Sequence, residues 1–206
     1  MKYSISAYSI IKNQTCWLNG QRDWHLAEKS SFSTFAKQAY RHYQLKYPKF
    51  FKMDGLCKLA FLTAEQLLDG VALLDKYEAA KVGIILANAA ASLDTDTAYQ
   101  QSMAEIPSPS LFVYTLPNIM LGELSIRHKL RGENACFIMD TFEANSMADY
   151  VQLLLDSEIV EACIVGWVDK MGEDYESLLC LVEPSSTAEI YPFDSQHLTL
   201  LYGSTN

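Results

Sequence analysis

Two periods of hydrophobic spacing alternate along this chain. Tyr3 to Ile11 (YSISAYSII) sets Ile5, Ala7 and Ser9 against Ser4, Ser6 and Tyr8, the two-residue period of a strand. Ser31 to Tyr47 places Phe32, Phe35, Ala36, Ala39 and Tyr43 at helical spacing, and Pro48 stops that helix. Asp54 is a natural N-cap for a second helix carrying Leu56, Leu59, Ala60, Thr63 and Leu67 on one face. Lys81 to Asn88 (KVGIILAN) is a continuous apolar run, which predicts a strand buried on both faces. Ala135 to Thr141 and Glu161 to Val168 predict further buried strands. Ser177 to Glu183 (SLLCLVE) and His197 to Tyr202 (HLTLLY) predict a closing pair, with Pro184 and Pro192 between them. Ala144 to Ser157 is a helix whose Met147, Tyr150, Val151, Leu153, Leu154 and Leu155 cover more than one face, the pattern of a helix enclosed on all sides.

The connecting segments read differently. Cys16 to Lys29 is loop-like, with Asn19-Gly20 as a turn signal and Trp17 and Trp24 as packing anchors. After Ala89, SLDTDTAYQQSMAEI mixes small, acidic and polar residues and predicts a loop and helix, set off by the Pro-Ser-Pro-Ser run from Pro107 to Ser110. Alternating strands and helices imply an α/β architecture with a mostly parallel sheet, the last pair being antiparallel. No internal repeat or low-complexity tract interrupts it.

Composition narrows the class. With 206 residues, half of them hydrophobic and a fifth charged, the chain fits one globular domain spanning 1–206. A formal net charge of −9 argues against nucleic acid, whose phosphates need clustered Lys and Arg. The one basic run noted, Arg127, His128, Lys129 and Arg131, reads either as a patch for an acidic partner or as cations at the C-terminal end of a helix dipole. The five cysteines lack metal-ligand spacing and suggest a reducing compartment, and no stretch approaches the length of a membrane span or a signal peptide. A cytoplasmic protein without metal or cofactor is the expectation.

One stretch carries chemistry. Tyr114 to Lys170 contains a Pro-Asn-led helix, Leu130-Arg131-Gly132, a short apolar strand, a second helix and a strand holding Gly166. This order resembles the central segment of β-ketoacyl-ACP synthases, and F-K-M-D-x-L-x-K-L-A at Phe51 to Ala60 resembles the stretch around M-D-R in the same family. There, a nucleophilic cysteine sits nine residues past the Gly of L-R-G, and a Gly closes the next strand twenty-five residues later. Here those positions are Thr141 and Gly166, without a gap. The resemblance runs from about Tyr3 to about Tyr202 and matches the family's N-terminal half. It implies a thiolase-like half-fold, with a mostly parallel sheet of five or slightly more strands flanked by helices. The family's two active-site histidines belong to the other half, and His25, His42, His128 and His197 match none of its motifs.

The substitution at Thr141 bears on mechanism. A thiolate is a strong nucleophile and a good leaving group, whereas a threonine hydroxyl needs an adjacent base. Asp140 and Glu143 are the only nearby acids in sequence. Cys136 falls five residues early, inside the strand, and reads as a small apolar filler. The resemblance therefore implies a catalytically silent accessory subunit for fatty-acid, polyketide or aryl-polyene type synthesis. Chain-length factors, which pair with an active synthase, are its nearest kind, although those usually carry Gln at this position. Two alternatives stand beside it: an acyltransferase, decarboxylase or hydrolase using Thr141 or Glu143 and active in a complex, or a module binding an acyl chain or acyl carrier protein. For the last, Leu93, Leu111, Phe112 and Phe142 would line the cleft. Association with an active ketosynthase or a second copy is expected, through Met147, Tyr150, Val151 and Leu154, because a half-fold would leave that helix wet.

Overall fold

The computed structural model describes residues 2–104, 106–185 and 190–204. The chain runs β1 (Tyr3–Lys12), β2 (Thr15–Leu18), β3 (Gln21–His25), α1 (Phe32–His42), a 3-10 turn (Pro48–Lys52), α2 (Gly55–Leu67), the short α3 (Leu73–Lys76) and β4 (Val82–Asn88). It continues with α4 (Leu93–Ser102), α5 (Pro109–Phe112), α6 (Ile119–His128), β5 (Asn134–Ile138), α7 (Ala144–Asp156), β6 (Ala162–Met171), β7 (Asp174–Pro184), β8 (Tyr191–Pro192) and α8 (Ser195–Gly203).

All eight strands form one sheet in the order β3-β2-β1-β7-β6-β4-β5, with β8 beside β1. The expected α/β sheet flanked by helices is present, but it is larger than five strands and mixed. Only β4 is parallel to its neighbours, β5 and β6; the other pairs are antiparallel. The reason is local. Gly172, at φ +59, turns β6 directly into β7, and so short a connection can join only antiparallel strands. The β4–β5 and β5–β6 connections, by contrast, contain helices.

Helices cover both faces. On one, α1, α2 and α6 pack over Ile84 and Leu86 of β4, Ile164 and Val168 of β6, and Leu179 and Leu181 of β7. On the other, α7 and α8 cover Ile85 and Ala87, Val165 and Trp167, and Leu178, Cys180 and Val182. Alternate residues of one strand thus enter two cores, which is why the central strands read as unbroken apolar runs. Asp54 caps α2 as expected, its carboxylate accepting from the Cys57 N–H at 2.9 Å.

Three local readings change. The Cys16–Lys29 segment is a hairpin: Asn19 and Gly20, both at positive φ, form its turn, but the flanking strands are too short and β3 (QRDWH) too polar to show a period. His197 to Tyr202 is helix α8, not a strand. Asp194 caps it by accepting from the His197 N–H at 2.8 Å, and Leu198 and Leu201 are its buried pair. A short apolar run does not by itself distinguish the two conformations. In β1 the register shifts between Ile5 and Ala7, so Ile5 and Tyr8 share a core that simple alternation would have separated.

The expected partner face of α7 is closed. Met147, Val151 and Leu154 are buried within the chain, and Tyr150 packs its ring on Phe137 at 5.2 Å. The sheet and α8 enclose this helix, so an unshared half-fold does not leave it wet. Of its large side chains only Leu153 is well exposed.

Candidate functional site

Thr141 lies not at a strand tip but in the β5–α7 loop, because β5 ends at Ile138. Its side chain is exposed and makes no hydrogen bond with any described residue. The neighbouring acids are not positioned as bases: Asp140 is exposed, and Glu143 accepts from Ser146 Oγ at 3.3 Å. A hydroxyl without a general base is a poor nucleophile. The nearest cysteine does not replace it. Cys136 points into the core beneath α6, and burial pushes its thiol up to about 11, away from the thiolate.

Histidines are engaged elsewhere. His42 stacks on Trp24 at 5.2 Å, His197 lies 2.8 Å from Asp194, and His128 lies beside Glu65. His25 lines an open groove of about 1200 Å³ between the β1–β2 turn and the β6–β7 hairpin, which includes Lys12, Asp169, Glu173 and Glu176 but not Thr141. Among the described residues no group of three His, Cys, Asp or Glu side chains could hold a metal ion, and no helix is long and apolar enough to cross a membrane.

The aromatic positions separate into two places. Phe142 turns inward beside Thr141, its ring 4.8 Å from Tyr202 and 6.0 Å from Trp167. Tyr202 donates to Glu176, which also pairs with Lys12 at 2.9 Å. Phe112 instead packs on Tyr99 at 5.4 Å and remains 60% exposed, with Leu111 half-buried beside it. The contacts and clefts described do not bring Phe142 together with Leu111 and Phe112.

Those outer residues belong to a broader feature. Among the described residues, six of the fourteen well-exposed large hydrophobic side chains (Leu93, Met103, Ile106, Phe112, Val113 and Leu116) fall in the short stretch from α4 to the start of α6. This stretch is anchored rather than loose. Lys170, buried in β6, binds Asp94 and the Gly172 carbonyl, while Thr95 donates to Asp54 at 2.7 Å. Asp169 accepts from the Ala89 and Ala90 N–H groups at 3.1 and 2.8 Å, fixing the exit from β4. Next in the chain is β5, which pairs with β4 alone and leaves its other edge open. Its sequence NACFI has no charge and no proline, and Ile138 is 53% exposed. An uncharged apolar edge is a template for strand pairing.

Of the basic run at the end of α6, Arg127 and His128 are engaged within the chain, while Lys129 and Arg131 are exposed. Arg127 makes a bidentate pair with Glu65, both bonds at 2.7 Å, and lies over the Tyr47 and Phe61 rings. His128 is held neutral, its pKa lowered first by burial and further by Arg127 against the opposing pull of Glu65. Two conformational points explain the glycines of the resemblance. A side chain at Gly132 would meet the Val82 carbonyl at 2.3 Å, and one at Gly166 the Leu178 carbonyl at 1.9 Å. Gly166 is mid-strand in β6, which continues to Met171, rather than closing it.

No family model and no curated protein matches the sequence. The fold does match solved structures. Against the ishigamide ketosynthase/chain length factor the TM-score is 0.66 at 16% identity, covering 91% of this chain and 63% of that one. A type II polyketide ketosynthase captured with its acyl-carrier protein, AntDE:AntF, gives 0.59 at 12%, covering 89% and 62%. The complex of the ketosynthase ApeO with its chain length factor ApeC from Xenorhabdus doucetiae gives 0.59 at 15%, covering 99% of this chain and 91% of the matched one. The chain thus has the thiolase-like ketosynthase fold; it spans under two thirds of the first two chains and nearly the whole length of the third.

Proposed function

We propose that this chain is a non-condensing, ketosynthase-fold accessory subunit that works by pairing with an active ketosynthase in polyketide or aryl-polyene type synthesis. Two observations carry the reading, the edge of β5 that pairs with no described strand and the anchored, exposed apolar residues between Leu93 and Leu116. A sheet edge plus exposed Phe112, Val113, Leu116 and Ile138 is costly in water and stabilising once covered, at roughly 25 cal/mol per Å² of apolar surface. The partner in this reading is a ketosynthase with a complementary edge; one neighbouring structure is itself a ketosynthase in complex with its chain length factor. In this reading the interface is the edge of β5 rather than the face of α7, whose Met147, Val151 and Leu154 are buried within the chain.

Thr141 supports silence at the chemical step, since an exposed hydroxyl without a base offers no covalent capture of an acyl group. Leu111 and Phe112 then serve the partner-facing surface, while Phe142 closes the core under the loop. The test has two arms. Co-expression with an active ketosynthase of a polyketide or aryl-polyene system should yield a joint peak on size-exclusion chromatography, and the purified chain alone, given acyl and malonyl carrier proteins, should form no acyl-protein and release no product. Turnover by the chain alone that disappears in Thr141→Ala would replace this reading with an enzymatic one.

A further inference from the structure

Three helix ends converge on one cavity. The helices α1, α2 and α6, of 11, 13 and 10 residues, finish at His42, Leu67 and His128. Side chains at all three ends line a cavity of about 450 Å³, to which the β2–β3 hairpin adds Leu18 and Asp23. That volume is ordinary for a small-molecule site. The cavity lies apart from the Thr141 loop: α6 leads into β5, and Thr141 follows the far end of that strand.

The charge around the cavity is unbalanced. Arg127 is the one Lys or Arg in its lining, and Glu65 holds that guanidinium with two bonds of 2.7 Å. His128 is held neutral by burial, and its Nε2, shielded from solvent, has no hydrogen-bond partner among the described residues. Asp23 and Asp69 remain. Asp23 accepts from the Tyr43 hydroxyl at 2.7 Å and from the Gln66 side-chain amide at 2.9 Å, both on Oδ2. These bonds fix the carboxylate without bringing it a positive charge. Asp69 is exposed and makes no ion pair with a described residue. It stands just past the last turn of α2, a turn with no basic residue. Helix dipoles put partial negative charge at C-terminal ends, so an acid there costs the free chain stability.

The remaining walls are apolar and aromatic. Leu18, Leu45 and Leu68 are half-buried in the lining. The His42 ring stacks on Trp24 at 5.2 Å and meets the Tyr43 ring edge-on at 4.9 Å, and aromatic faces attract cations. We infer that this cavity binds a small aliphatic polyamine, its ammonium groups pairing with Asp23 and Asp69 and its methylene chain lying along the leucines and the Tyr43 ring. Two carboxylates without a cation call for more than one positive charge, and the leucines call for hydrocarbon between those charges. A bare metal ion meets neither demand, and among the described residues no three His, Cys, Asp or Glu side chains converge to hold one. The inference is independent of the accessory-subunit reading, because the cavity includes neither Thr141 nor any residue of β5.

The experiment is calorimetric titration of the full chain with spermidine, putrescine and butylamine, with magnesium chloride at matched ionic strength as the control for screening. Spermidine should saturate a single site, and butylamine should bind at least about tenfold more weakly, since it offers one charge-assisted contact instead of two. Asp23→Asn/Asp69→Asn should lower spermidine affinity at least about tenfold, whereas Asp149→Asn/Glu161→Gln, which removes two exposed acids elsewhere, should lower it less than about twofold. Asp69→Asn alone should weaken binding severalfold and yet raise the urea midpoint, because it takes a carboxylate away from the negative end of α2. A carboxylate kept for stability would lower that midpoint instead. Circular dichroism checks folding; if the first double variant unfolds, Asp69→Asn, altered at an exposed position, carries the test. The inference is overturned if spermidine does not saturate, or if magnesium or butylamine binds as tightly. Equal losses in the two double variants would also overturn it, as non-specific attraction to a chain of net charge −9. So would a lowered urea midpoint with unchanged binding in Asp69→Asn. Co-elution with a ketosynthase should be the same for all of these variants, so the accessory-subunit reading stands or falls separately.

Discussion

The inner strands β1, β7 and β6 and the segment from Ala89 to Glu143 both carry large apolar residues, but those residues end in opposite situations. In the first, Ile164, Val165, Leu178, Leu179, Cys180 and Leu181 alternate into two cores, each closed by helices of the same chain. In the second, β5 has a neighbour on one side only, and Leu93, Ile106, Phe112 and Leu116 face solvent. In the reading proposed above, the inner region holds the fold and the outer one serves association, while the loop after β5 presents a threonine hydroxyl with no base beside it.

The comparison can be broken most severely from the inside. Gly166→Val would drive a side chain into the Leu178 backbone of the adjacent strand, and we expect a loss above about 4 kcal/mol, seen as insoluble or unfolded protein in urea titration. A soluble, fully stable variant would mean the β6–β7 contact is not as close as described. Next in size is a matched pair. Leu59→Ala, in the core of α2, should cost about 2–5 kcal/mol, whereas Leu116→Ala should change stability by no more than about 0.5 kcal/mol while weakening association with a ketosynthase. Equal costs for the two would erase the distinction between the regions.

A smaller effect sharpens the description of α6. Burial lowers the His128 pKa in the folded chain, so the unfolded chain takes up a proton first as pH falls. Stability from this group is fully present above the unfolded value, near pH 6.5, and is lost as pH falls through the lowered folded value. The urea midpoint should therefore decline below about pH 6.5 in the wild type and decline less in His128→Gln. An identical pH profile for the two would show that His128 is not held neutral.

Much of the inner region was legible because its signals are local or strongly periodic: the Asp54 cap, the run from Val82 to Asn88 and the amphipathic spacing of α1. The outer region was less so. Leu111 and Phe112 were visible as apolar residues, but their exposure depends on where α4 and α5 are tied, and those ties run through Lys170 and Asp169, far away in sequence. That α7 is enclosed is legible in its apolar faces, but that the cover comes from the same chain is not, because α8 reads as a strand until the Asp194 cap is seen. Direction of the sheet was also hidden, since the tight turn at Gly172 looks like any polar break.

The most direct test of the central claim is native mass spectrometry of the chain co-expressed with an active ketosynthase of a polyketide or aryl-polyene system, as wild type and as Ile138→Lys, which places a charge on the open edge without disturbing either core. The account predicts a defined heteromeric complex for the wild type, and for Ile138→Lys a folded chain released from it. A complex that survives Ile138→Lys unchanged, or a wild-type chain that never associates and instead carries an acyl group on Thr141, would contradict it.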